Sequence, residues 1–181
     1  MLDIHEQGFN AAMSQGYAAL NEGHFDSARK AFTTAAKLQP GSKEAASALQ
    51  EVRTTETARQ LASLDKQGRQ NEQQELWQKA VAAYEQAQKL DSSVLFASEG
   101  LKRSRARAQL DQQLRTAIDD PTRLSDTAVS AATTQLLLQA KQVTPRGSAL
   151  EQQINRLDAL LSQANVTVAV TLRSDEETEV L

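Results

Sequence analysis

The chain has 181 residues, 40% hydrophobic and 24% charged with a net charge of −3, which suffices for one domain or a short run of helical repeats and excludes wholesale disorder. Aromatic residues make up only 4% while alanine and glutamine are abundant, favouring helices packed through small side chains over a β core. The lack of cysteine excludes disulfides and thiolate metal sites, and the mild negative charge gives no general pull toward nucleic acid or an anionic membrane.

Met1-Leu2-Asp3-Ile4-His5 carries neither the basic nor the apolar region of a signal peptide, and no apolar run approaches the roughly 18–20 residues that span a bilayer. The pattern predicts a first helix from about Asp3 to Asn21, ended at Gly23, and a second from Asp26 to Leu38, stopped by Pro40-Gly41. Ser42 then caps a long helix to about Gln74, with Ala45, Ala46, Leu49 and Val52 on one face. The β-branched pair Thr54-Thr55 is the one place where that helix would divide; a single helix is the expectation. A fourth helix covers Gln78–Leu90, and a fifth runs from a cap at Ser92 or Ser93 to about Ile118, before the loop Asp119-Asp120-Pro121. A sixth covers Ser125–Val143, and Ser148 caps a seventh to about Gln163, with Leu150, Ile154, Leu157, Leu160 and Leu161 in one stripe. The period then changes to two: Val166, Val168, Val170 and Leu172 alternate with Thr167, Ala169 and Thr171, a strand signal followed by a turn at Ser174–Glu177 and a second start at Glu179.

A pattern recurs along the helices. Gly16, Gly23, Phe25, Ala28, Phe32, Ala35 and Pro40 combine small residues that let antiparallel helices approach, aromatics that fill the seam, and a terminating proline. Trp77, Ala80, Tyr84, Ala87 and Leu90 repeat Phe25, Ala28, Phe32, Ala35 and Leu38 at a constant spacing of 52, and Leu137, Ala140 and Val143 form a worn third copy at 53, ending before Pro145. This stretch resembles a tetratricopeptide repeat (TPR). Since that repeat is 34 residues long, each copy here carries about 18 more, about five whole turns, read as lengthened first helices whose buried face keeps its direction.

The resemblance implies an all-α solenoid of three lengthened hairpins with an unpaired capping helix over residues 1–164, and a β segment over 165–181. The tail is similar to the first hairpin of the PEGA-type β domains of bacterial envelope proteins, although the usual proline and glycine of that turn are missing. It reads as the start of a β domain that has been cut away, because a lone hairpin is marginal in water, and it offers an edge for self-association. The implied setting is the periplasmic side of a membrane-anchored bacterial protein, with the cytoplasm as the alternative.

No catalytic constellation stands in the sequence: it has no Gly-rich phosphate loop, nucleophile elbow or His-Glu-x-x-His pair, so no enzymatic activity, cofactor or metal is expected. His5 and His24 lie apart and read as solvated or loosely packed, and Asp119-Asp120 beside Pro121 read as turn residues. Asn165-Val166-Thr167 has the form of a glycosylation acceptor and is read as chance. Phe25, Phe32, Trp77, Tyr84 and Phe96 are read as inter-helix packing, and the basic run Lys102–Arg107 as a helix surface on which Arg103 and Arg107 share one face. The acidic residues Asp111, Asp119 and Asp120 that follow it argue against nucleic acid.

What remains is a non-enzymatic module that binds a protein or peptide partner. The TPR resemblance implies a partner-lining concave face on the first helix of each hairpin, which here falls on Met13, Tyr17 and Asn21, then Asp65, Arg69 and Gln73, then Glu99, Arg103 and Arg107. The lysine and asparagine set with which some TPR proteins clamp a C-terminal carboxylate is not evident. The rival reading is a structural spacer that holds a distal β domain away from a membrane anchor.

Overall fold

The computed structural model describes residues 4–164, and every described element is helical. The helices are α1 (Ile4–Asn21), α2 (Phe25–Leu38), α3 (Lys43–Gln73), α4 (Trp77–Leu90), α5 (Leu95–Asp119), α6 (Thr127–Gln142) and α7 (Ser148–Ala164), with a short 3₁₀ helix over Pro121–Ser125. The expected strand segment, 165–181, lies outside the described residues. The chain divides into two compact units: an N-terminal unit of residues 1–72 and 76–104, and a C-terminal unit of 73–75 and 105–181.

In the N-terminal unit the spacing of small and aromatic residues becomes an interlock. The Phe32 ring on α2 fills the place where Gly16 on α1 has no side chain; a Cβ on Gly16 would stand 2.4 Å from it. One repeat later the Tyr84 ring on α4 is held from two sides, since a Cβ on Gly68 of α3 would meet it at 2.4 Å and one on Gly100 of α5 at 2.5 Å. Ala28, Ala35, Ala80 and Ala87 are all fully buried beside these rings, so the helices meet through methyl groups. Two clusters result, one around Phe9, Met13, Phe32, Ala48 and Val52, the other around Leu64, Tyr84, Ala97 and Leu101. The C-terminal unit has its own core, built from Leu114 of α5, Leu124 of the 3₁₀ turn, Leu137 and Ala140 of α6, and Leu150, Ile154, Leu157 and Leu161 of α7.

The turns after α1 and α3 are also copies. The His24 amide donates to the Ala19 carbonyl at 2.8 Å, and the Leu76 amide donates to Asn71 at 2.8 Å. This six-to-one closure puts the residue before it in the left-handed region: Gly23 has φ 77° and Glu75 has φ 55°. At Gly23 the space of the missing side chain is taken by the Arg59 guanidinium, which also lies 5.4 Å from the centre of the Phe25 ring. Glu75, the only non-glycine residue at positive φ among those described, bears a conformational cost of about 1–2 kcal/mol.

Helix α3 passes through Thr54-Thr55 unbroken, and the Thr54 hydroxyl donates back to the Gln50 and Glu51 carbonyls at 3.2 and 3.0 Å, so it finds its partners without breaking the helix. Ser42 caps it as expected, accepting from the Ala45 amide at 3.2 Å. Three starts differ from the sequence reading. Ser92 and Ser93 do not cap α5; the Ser93 amide and hydroxyl instead donate to Asp91 at 2.8 and 2.6 Å in a turn, holding that carboxyl below its ordinary pKa, and the helix begins at Leu95. Helix α6 begins after Asp126, whose carboxylate accepts from Ala128 and Val129, because Pro121 starts a 3₁₀ turn that takes in Ser125. At α7 the first amides go to Glu75, not to Ser148.

Gly68→Ala tests the interlock. Alanine favours a helix over glycine by roughly 1 kcal/mol, but Tyr84 cannot move away with Gly100 behind it, so a net loss of about 1–2 kcal/mol is expected in urea denaturation. The continuity of α3 predicts uniformly slow amide exchange from Val52 to Leu64, with no fast segment at Thr54-Thr55.

Candidate functional site

The face assigned to a partner is divided between the two units. In the N-terminal unit Met13 is 4% exposed and belongs to the core, so it is withdrawn from any partner. Tyr17 is at the border of exposure and stacks edge-on against Phe32, with centroids 5.0 Å apart, while Asn21 is exposed at the end of α1. Phe32 and Tyr84 are fully packed, as the sequence reading had it, whereas Phe25, Trp77 and Phe96 are half-buried.

On α3 and α5 the charged members of the face are engaged with one another. Arg69 donates to Asp65 one turn earlier at 2.9 Å, which raises the pKa of its guanidinium. Arg103 reaches Glu72 at 3.3 Å, and the neighbouring Ser104 hydroxyl, fully buried, donates to the other oxygen of that carboxylate at 2.8 Å. Burial works against the Arg103 charge, but the hydrogen bond and charge of Glu72 outweigh it and its pKa stands above the ordinary arginine value. Glu99 is exposed on α5. Glu72 was not singled out in the sequence; it stands three residues after Arg69, but its partners lie about thirty residues away, and nothing local to α3 points to them.

Tyr84 closes this cluster. Its hydroxyl is shut off from water without a hydrogen-bond partner of good geometry among the described residues. Burial first, and the nearby Glu72 carboxylate second, push its ionisation up.

In the C-terminal unit Gln73 is exposed, and Arg107, 17% exposed in its side chain, lies 3.5 Å from the Glu75 carboxylate. Burial pulls the Arg107 pKa down, against the opposite pull of Glu75 and Asp111. The basic run is therefore no continuous patch: Ser104 is buried, and Arg103 and Arg107 each face a carboxylate.

Two open grooves flank these helices. One of about 690 Å³ lies between α5 and α6, its floor formed by Ala117, Leu124 and Leu136 and its rim by Gln112, Gln113 and Gln139. The other, about 460 Å³, lies between α3 and α4 and is lined by Leu64, the exposed Leu90, Lys89 and the amides of Gln60, Gln67 and Gln86. Both pair apolar side chains with neutral amides, beside Asp120 and Arg123 in the first groove and Lys89 in the second. Among the described residues no three His, Asp or Glu side chains gather as metal ligands, and no helix is long and apolar enough to cross a membrane. The sequence matches no family model, and no curated protein or solved structure matches the chain.

The neutral form of Tyr84 is favoured in the fold, whereas a tyrosine in the unfolded chain ionises near pH 10. Its contribution is thus whole below about pH 10 and is lost as pH rises through the higher folded value. Urea melts of the parent are expected to weaken above about pH 10 and those of Tyr84→Phe to weaken less. At pH 7 the substitution is expected to be neutral or slightly stabilising, because the hydroxyl it removes is buried without a good partner.

Proposed function

We propose that the chain is a non-enzymatic module, related in design to TPR proteins, which holds a segment of a partner protein along its exposed helix faces. The observation that carries this reading is the repetition of one packing unit. Gly16 against Phe32 and Gly68 against Tyr84, each with fully buried alanines alongside, build two hairpins in the same way at the spacing of 52. Repeated hairpins present a series of helix faces that need not fold around a ligand, so their common use is to bind extended or helical segments. The glutamine-rimmed grooves are the surfaces that suit such a segment, with apolar contact supplying affinity and amides supplying orientation.

A second reading, the structural spacer, is favoured by one observation: Arg69, Arg103 and Arg107 are engaged with Asp65, Glu72 and Glu75 of the same chain. These pairs, from the largely exposed Arg69–Asp65 to the largely buried Arg107–Glu75, engage the charges within the chain without requiring a ligand.

The two readings part in a capture experiment with the parent, Ala132→Arg in the α5–α6 groove and Gln86→Arg in the α3–α4 groove. Both positions are exposed, so melting temperatures are expected to stay within about 0.5 kcal/mol of the parent in stability terms. A module predicts a protein retained by the parent and lost with one of the variants. Retention of no protein by the parent, or identical retention by all three, sets the spacer reading ahead.

A further inference from the structure

Glu75 occupies the worst place in its turn for a side chain. The corresponding residue of the first hairpin is Gly23, and both backbones are left-handed, with φ 77° at Gly23 and 55° at Glu75. Glycine adopts that conformation freely and glutamate does not. Yet the carboxylate is placed with care. Its Oε2 accepts from the Ala149 amide at 2.6 Å, its Oε1 from the Leu150 amide at 3.2 Å, and Arg107 Nη2 lies 3.5 Å from Oε1. Its side chain is 8% exposed.

These amides belong to the first turn of α7, where donors have no partner inside the helix. A helix usually meets this need from its own chain, with a side chain at the residue before the first turn. That residue here is Gly147, which has none, and a Cβ on it would stand 2.3 Å from the Glu75 carboxyl. Gly147 and Glu75 thus fit one another: the glycine leaves the space, and a carboxylate from the other end of the unit's sequence fills it. The negative charge also suits the positive end of the helix, with Arg107 balancing it on the other side.

We propose that Glu75 is the latch of α7, and that a glutamate is kept at a left-handed position that the turn closure imposes because its carboxylate reaches the helix start. With the latch open, α7 loses its first-turn partner and its seat, and Leu150, Ile154, Leu157 and Leu161 become the surface that a local opening uncovers. The inference is independent of the function proposed above.

Glu75→Gly in the full chain is the direct test, because two accounts predict opposite signs. If Glu75 is merely a strained turn residue, glycine relieves the strain, and melting temperature and amide protection rise or hold. If it is a latch, protection at Ala149 and Leu150 falls at least tenfold, while the amides of α2 and α4 keep parental rates. Gly147→Ala should do the same by displacing the carboxylate. The double variant should lose far less than the product of the two single effects, since both break one contact. Parental protection of α7 in Glu75→Gly, a loss shared equally by all helices, or fully multiplicative losses in the double variant would each overturn the latch.

Discussion

The structure of the N-terminal unit depends on an aromatic ring lying where a helix lacks a side chain. Phe32 fits over Gly16, and Tyr84 fits between Gly68 and Gly100. A flat ring can enter such a space, and glycine, which has no Cβ, leaves it open. The rest follows from the short separation this creates. Helices that close can meet only through small residues, which is why Ala28, Ala35, Ala80 and Ala87 surround the rings and why so low an aromatic content suffices. Glycine within a helix is unfavourable by roughly 1 kcal/mol relative to alanine, so packing of the ring must outweigh propensity at these positions.

The same rings shape the polar chemistry around them. Tyr84 brings a hydroxyl into a region that also holds Glu72, Arg103 and Ser104, and its burial raises its own ionisation. Arg69, Arg103 and Arg107 are engaged with carboxylates of the same chain, while the grooves combine amides with Asp120 and Arg123 in one and Lys89 in the other.

The turns after α1 and α3 show one backbone solution serving two purposes. Both close with the same hydrogen bond and both place a residue in the left-handed region. At Gly23 the empty side-chain position receives a cation from α3, the Arg59 guanidinium; at Glu75 the side chain itself goes outward to a helix start. A repeat can therefore keep its geometry while its turn residue acquires a role in tertiary structure.

The sequence by itself determined the helices, since their apolar periodicity, the Ser42 cap and the terminators at Gly23 and Pro40 act within a few residues of where they stand. It also determined which residues recur, and the single α3 that the pattern predicts accommodates Thr54, whose hydroxyl bonds one turn back. Tertiary structure decided the rest. Met13 falls on the partner-lining face that the TPR resemblance implies but is core, because which stripe of α1 is covered depends on where α2 lies. Arg103 and Arg107 read as available cations until Glu72 and Glu75 are brought to them from the end of α3 and the turn after it. Ser148 is a sound cap in the sequence, yet Glu75 takes the α7 amides from 74 residues away. Local rules name the donors at a helix end, but only the folded chain determines which acceptor reaches them first.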